Sequence, residues 1–593
     1  MITAFPQSVP SLFPPVDGPP IIYDPHPARP LGPGQIDQGF LALARLLAIH
    51  EQIILDGMGG VMWIDFRESL AAAFAELGLA YTWLDVSEAL LEESDVNRLI
   101  TPFLNGEDPV FGFRNPHSLN RFFVPEKLAE LGRRAGAGGR TIIFGTGAAL
   151  AAKSGFLVYV DVPKNEIQFR SRAGKVTNLG AHQPAPAKAM YKRFYFVDWP
   201  ALRQHQVELL PRLQLVIDSQ DAAQPAFMRG EDFAAALAQA AKSWFRVQPW
   251  FEPGPWGGQW MKKRFPGFSA EVPNLAWSFE LISPENGLTF VSGGLRLEAA
   301  FDWLMFLDHR AVLGEFAGRF GYEFPIRFDY LDTFEGGNLS LQCHPRPAYA
   351  ERHFGERFTQ DETYYLMDCT PDARVFLGFQ FGIDPAEFER VLTRSFREAR
   401  PVDVERYVQS HQAVKHGLYL IPNGTIHCSG RNNLVLEISA TPYIFTFKMY
   451  DWLREDLDGQ PRPLNVGRAM ENLCFDRQGD RIRREFIARP CVLDRGEGWE
   501  RLHLPTHGEH FYDVHRFDFT TAVDVRTGGS PHVLNVVEGV SVVLETPGCP
   551  PQRFAFAETF VVPAATGSYR LRSESGQAVK VIMAFLKPGA KFP

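Results

Sequence analysis

Cysteine is scarce: six in 593 residues, at 343, 369, 428, 474, 491 and 549, with no CxxC pair. That excludes a dense disulfide framework and reads as reduced thiols in a cytoplasm. No apolar run approaches the about 18 residues of a transmembrane helix. The first residues, MITAFPQSVPSLFPPVDGPP, lack a basic stretch followed by an apolar one, so no secretory leader is expected. Charge of one sign is not in excess either. Sixty basic against 69 acidic residues give a net charge of −9, which leaves no global field for a polyanion such as nucleic acid. Complete phosphate-loop motifs are missing as well. IILDGMGGVMW has a strand and glycines but no GK[ST]. RTIIFGTGAALAAKS has Ala152 where a glycine should precede Lys153, and Leu150 where GxGxxG needs its third glycine. The Gly145–Gly147 amides can cradle an anion or form a tight strand-to-helix turn.

What is present is ordinary globular material, 45% hydrophobic and 22% charged, which excludes a disordered chain. Ten of the 45 prolines fall in residues 1–34, so residues 1–35 read as an extended arm anchored by Ile21, Ile22 and Tyr23. From 36 to 245, helix-period stretches (FLALARLLAIHEQI, SLAAAFAELGL, DFAAALAQAAKSWF) alternate with strand-like runs (IILDG, RTIIFG, FLVYVDV, RFYFVDW, LQLVIDS). That alternation predicts an α/β layer with a largely parallel sheet. After FRVQPWFEPGPWGGQW, dense in aromatics, a helix is expected over LEAAFDWLMFLDHRAVLGEFAGRF. Short strands then dominate to the C-terminus, apart from a helical insert at about 384–413. The expectation is a multidomain chain: an α/β domain (36–245), a metal-binding β-barrel domain with helical insert (246–480), and a second barrel-like β domain (481–593).

The sharpest chemical feature is LSLQCHP. Gln342 and His344 are two apart on an expected strand, so both leave the same face. Glu362 opens the next strand, in TQDETYYLMD, and His427 lies in the turn-rich IPNGTIHCSG. Two imidazoles, a carboxylate and an amide oxygen suit Zn²⁺ or a similar divalent ion. HLPTHGEHFYDVH, carrying His503, His507, Glu509, His510 and His515, matches no mechanistic spacing and reads as surface-loop histidines. The basic-aromatic stretches around Lys164, Arg170, Lys192 and Arg193 read as an interdomain packing face.

The ordered series LSLQCHP, QDETYYLMD, IPNGTIHCSG…LVLEIS and FKMYDW resembles the motifs of class I mannose-6-phosphate isomerases, zinc enzymes built from tandem cupin (jelly-roll) barrels. The resemblance runs from Trp256 onward over roughly 246–593. It implies Gln342, His344, Glu362 and His427 as ligands of one Zn²⁺ per chain, and a cytoplasmic enzyme interconverting mannose 6-phosphate and fructose 6-phosphate. Residues 1–245 resemble the additional N-terminal region of long bacterial members, with a degenerate kinase-like α/β fold as its one candidate identity. Three positions depart from the family pattern. Asp329 stands at the register of a family lysine, with Arg327 two before it. Gln360 replaces a lysine, and Lys448 an arginine, which is not an equivalent cation. By motif position Lys448 and Glu437 are the expected catalytic pair, and Arg327, Arg357 and Lys448 the expected substrate-binding cations. The alternatives are a cupin isomerase or epimerase of another sugar, a non-catalytic sugar-binding regulator, and a bifunctional chain whose first half transfers phosphate.

Overall fold

The computed structural model describes residues 22–589 apart from 107, 270, 284, 457–458, 460–461 and 575; most of the proline-rich arm, Ile21 included, lies outside them. Five strands form the parallel core of the first sheet: β1 (Gln52–Gly57), β2 (Thr82–Asp85), β3 (Thr141–Phe144), β4 (Phe156–Asp161) and β5 (Leu215–Asp218). Their spatial order is β5-β4-β1-β3-β2, with antiparallel strands Ala226–Arg229 and Ile36–Gln38 added beside β5. β1 and β4 are buried almost throughout, as strands covered by helices on both faces must be.

RFYFVDW is not a strand. It sits inside a continuous helix made of α-helical turns at Ala187–Arg193, a π-turn at Phe194–Asp198 and the helix Trp199–Leu209. Phe194, Phe196 and Val197 are all buried there. A helix packed against neighbours on several sides loses its polar stripe and mimics a buried strand in sequence.

Past residue 245 the chain is mostly antiparallel. The strands that matter are β6 (Trp250–Glu252), β7 (Trp277–Leu281), β8 (Gly287–Ser292), β9 (Leu295–Ala300), β10 (Ile326–Asp332), β11 (Leu341–Cys343), β12 (Glu362–Cys369), β13 (Arg374–Phe379), β14 (Val408–Gln412), β15 (Leu418–Ile421), β16 (His427–Ser429), β17 (Asn433–Ala440) and β18 (Phe447–Tyr450). Eleven of them build two sheets, β15-β12-β17-β10-β7-β6 and β14-β13-β16-β11-β18, in the manner of a cupin barrel, while β8 and β9 pair with each other and β8 also with Arg29–Pro30. LEAA belongs to the β8–β9 hairpin, and the helix begins only at Asp302. The expected helical insert is likewise shorter, Pro385–Glu398; its last stretch is β14, zipped to β13. Residues 491–586 form a six-stranded and a four-stranded antiparallel sheet around a separate core that includes Phe517, Val536, Leu544 and Phe560.

The α/β sheet and the first barrel are joined at the carboxyl ends of β4 and β5, where open α/β sheets usually take ligands. Asp161 accepts from the Ala300 amide (3.1 Å) and the Trp303 indole (2.9 Å). Asp218 accepts from the Glu298 amide at 2.8 Å. The crevice is plugged by the chain's own hairpin. The glycine turn after β3 is filled too: Asp56 takes the amides of Gly57 (2.7 Å), Gly147 (2.9 Å) and Ala149 (2.8 Å), and its other partner is His205 at 2.7 Å. Of the two sequence options for this turn, the structure has the tight turn, with an internal carboxylate where an anion would sit.

Candidate metal centre and its cavity

Cross-strand register explains why the site residues meet. On the first barrel sheet Arg327 lies opposite Ser439, which lies opposite Glu362; two residues along, Asp329 lies opposite Glu437, and Glu437 opposite Tyr364. Side chains two apart share a face, so Arg327, Asp329, Glu437 and Glu362 all point one way. On the facing sheet Gln342 lies opposite His427 on one side and Lys448 on the other, and His344 follows two residues later. The two rows face each other across the barrel.

At their junction Glu362 Oε2 is 3.1 Å from His344 Nε2 and 3.3 Å from His427 Nε2. The Gln342 amide is 3.3 Å from His427 Nε2. His344 and His427 are fully buried and Glu362 nearly so. His344 Nδ1 is 3.0 Å from the Phe445 carbonyl and His427 Nδ1 2.9 Å from that of Thr425. A carbonyl can only accept, so each neutral ring carries its proton on Nδ1 and turns the Nε2 lone pair inward. His344 Nε2 and Glu362 Oε2 are buried with no hydrogen-bond partner. Acceptors therefore face acceptors with no proton between them, an arrangement a cation resolves. The Gln342 amide oxygen becomes a fourth donor by rotation of the amide. The donor set fits Zn²⁺, and the two carbonyls are the usual outer partners of metal-bound imidazoles. Among the described residues these three, His344, Glu362 and His427, are the one His/Cys/Asp/Glu group able to hold a metal ion.

Burial by itself would raise the Glu362 carboxyl; positive charge and N–H donation from protonated His344 and His427 would overcome that and hold it well below the usual range, so with both rings neutral the carboxylate calls for a cation in their place. Its other oxygen accepts from Gln360 at 2.5 Å. Arg327 is buried among three carboxylates: Glu437 in direct contact, Asp329 at 3.1 Å and Glu362 at 3.5 Å. Burial, opposed by Arg327 and aided by the Glu362 charge, lifts Asp329 to about 6. Lys448 is brought down to about 8, first by burial and then by the nearby Arg462.

These groups open on a cavity of about 640 Å³. Gln342, Glu362, Glu437, Arg327 and Lys448 line it; Arg357 does not. Arg357 instead donates to the Arg319 carbonyl and lies over the Phe358 ring. No motif pointed to Arg462, which lines the cavity and donates to Asp451 at 2.8 Å. Nor did it single out Glu285, Tyr443 and Tyr191. Tyr191, from the α/β domain, is 2.7 Å from the Tyr443 hydroxyl and 3.1 Å from Glu285, whose other oxygen accepts from Gln168 at 2.9 Å. Burial, more than its neighbours, lifts Glu285 to about 7. The aromatic texture of WFEPGPWGG was visible in sequence, but no periodicity tied it to a site.

HLPTHGEHFYDVH is a surface loop only in its middle, at 505–511, where Glu509 is exposed. His503 and His515 are on adjacent strands, His503 being 2.9 Å from Asp513, and His510 is buried against Tyr512.

A family model described as "Domain of unknown function (DUF8485)" matches residues 39–242. Mannose-6-phosphate isomerase ManA of Bacillus subtilis (strain 168) is 27% identical over 225 residues, 38% of this chain and 66% of that protein. Mannose-6-phosphate isomerase of Streptococcus mutans serotype c is 25% identical over 285 residues, 48% of this chain and 81% of that protein. The crystal structure of the Bacillus subtilis mannose 6-phosphate isomerase overlays 58% of this chain and 99% of its own, at 21% identity and a TM-score of 0.47. The chain is a distant relative of mannose-6-phosphate isomerases over part of its length. Among the described residues no helix is long and apolar enough to cross a membrane.

Proposed function

We propose that the chain is a metal-dependent aldose–ketose isomerase of a hexose phosphate, with mannose 6-phosphate and fructose 6-phosphate as the pair its distant relatives suggest. The observation that carries this reading is the acceptor-only cluster of His344, Glu362 and His427, reached from a cavity through Glu362 and the adjoining Gln342. Gln342, His344, Glu362 and His427 would hold one Zn²⁺ or similar ion, which when bound supplies polarisation of the substrate oxygens and stabilises enediolate charge.

The chain's own groups do the rest. Lys448, beside Gln342 in the same cross-strand row, is the group we assign to proton transfer. In its neutral form it takes the C2 proton while O1 gains a proton from solvent, giving the enediol. It returns the C2 proton to C1 while O2 releases its own to solvent, so that no net proton is consumed. Glu437 is held by Arg327, so its part is to fix the guanidinium and, with Gln360, the orientation of Glu362. Arg462 supplies the cavity cation for the phosphate, a part expected of Arg357.

The test is a coupled isomerase assay on the zinc-loaded protein beside His427→Ala. Turnover in the parent, and its loss in a variant of unchanged circular dichroism, is the expected outcome. No turnover of any hexose phosphate by folded, zinc-replete parent would sink the reading. The changed residues Asp329 and Gln360 favour one second reading, the same chemistry on another sugar, so the assay includes glucose and allose phosphates.

A further inference from the structure

The cavity is longer than a hexose phosphate requires. It runs across one face of the first barrel sheet, from Glu362 on β12 past β17, β10 and β7 to Trp250 on β6. Four inter-strand steps of about 4.8 Å make that span about 19 Å. Its two ends differ in chemistry. The β12 end carries the acceptor cluster and the buried charges. At the β6 end, Trp277 and Phe279 leave the same face of β7, and Trp250 lies opposite Phe279. Trp250 and Phe279 are stacked at 4.1 Å, and Trp277 and Phe279 are near-parallel at 6.2 Å. All three line the cavity and are only half-buried, so ring faces remain open to an occupant.

The far wall comes from the α/β domain: Gln168, Ser171 and Arg172 from one helix (Lys164–Arg172), Lys188 and Tyr191 from the next (Ala187–Arg193). Arg172 meets Glu252 of β6 at 2.9 Å across the opening. Aromatic faces carry partial negative charge and offer nothing to a phosphate, but they match the C–H face of a pyranose. The polar rim of Glu252, Arg172 and Gln168 is suited to its hydroxyls. A nucleoside diphosphate joined through C1 is excluded as the continuation, because isomerisation needs C1 free.

We propose that this end is a subsite for a second sugar ring, so that the substrate is a reducing disaccharide or its phosphate, with the reducing hexose at the acceptor cluster and the other ring on Trp250, Trp277 and Phe279. The proposal rests on the isomerase reading for the orientation of the substrate, but the subsite itself is read by binding. A panel of reducing gluco- and manno-disaccharides of differing linkage, free and phosphorylated on the reducing ring, is titrated against the full-length protein beside the matching monosaccharides, by calorimetry. At least one disaccharide should bind about tenfold more tightly than its monosaccharide. Trp277→Ala and Trp250→Ala should each erase that ratio, and Trp277→Phe should keep it. Equal binding of both sizes, no binding of any disaccharide, or a preference that survives both alanine variants overturns the subsite. A disaccharide preference without turnover of any sugar would retain the subsite and reject the isomerase; turnover with no preference would do the reverse.

Discussion

Of the cations that line the cavity at its charged end, Lys448 and Arg462 are not interchangeable. Arg462 is tied to Asp451 and Ser340, a fixed fork. Lys448 has its ammonium destabilised by burial and by Arg462 itself, so it can shed a proton that a guanidinium keeps. Lys448→Arg should therefore preserve charge and lose proton transfer. The expected result is a fall in kcat of about 10²–10⁴-fold with KM little changed, read in steady-state kinetics. A mainly electrostatic part for Lys448 would leave kcat nearly intact. At this scale the site was largely legible, because strand periodicity places Gln342 and His344 on one face without further information. Arg462 and Arg357 were not legible. Neither lies in a helix or a strand, so no period says which way its side chain points.

Between elements, the seam at the carboxyl ends of β4 and β5 carries a titration. Asp218 is lifted to about 6 and Glu298, on β9, to about 8, each chiefly by burial, Glu298 also by the Asp218 charge. One oxygen of Glu298 is buried without a partner. Unfolded, both carboxyls ionise near pH 4; folded, Glu298 keeps its proton to about 8. In that window the unfolded chain binds fewer protons than the folded one, so stability falls as pH rises from about 4.5 to about 8. Glu298→Gln should match the parent near pH 4.5 and exceed it by about 4 kcal/mol at pH 8, measured by chemical denaturation at both values. An equal difference at both would show that the carboxyl does not titrate there. The parallel sheet was readable from continuous apolar runs. This seam was not, because β8 and β9 lie about 70 residues beyond β5 and nothing local in LRLEAA signals its partner.

For the whole molecule, the relevant fact is where the cavity lies. One wall is the barrel sheet and the other is the pair of helices at Lys164–Arg172 and Ala187–Arg193. Sequence alone divided the chain at about 245 from a change of texture, and texture cannot show that two segments share a ligand. A sugar phosphate bound there should raise the melting temperature, more steeply as its concentration passes Kd. Differential scanning calorimetry with rising mannose 6-phosphate reads this. Protection of the two helices in hydrogen exchange should grow in step with that of β6 and β7, whereas a ligand held by the barrel alone would protect only the strands.

The carboxylate of Asp56 has a consequence of its own. It occupies the turn amides of Gly57, Gly147 and Ala149 permanently and intramolecularly. Any diffusible anion would have to compete with a tethered rival at very high effective concentration. That turn has thereby traded an anion address for fixed shape, and it serves the sheet as a keystone serves an arch.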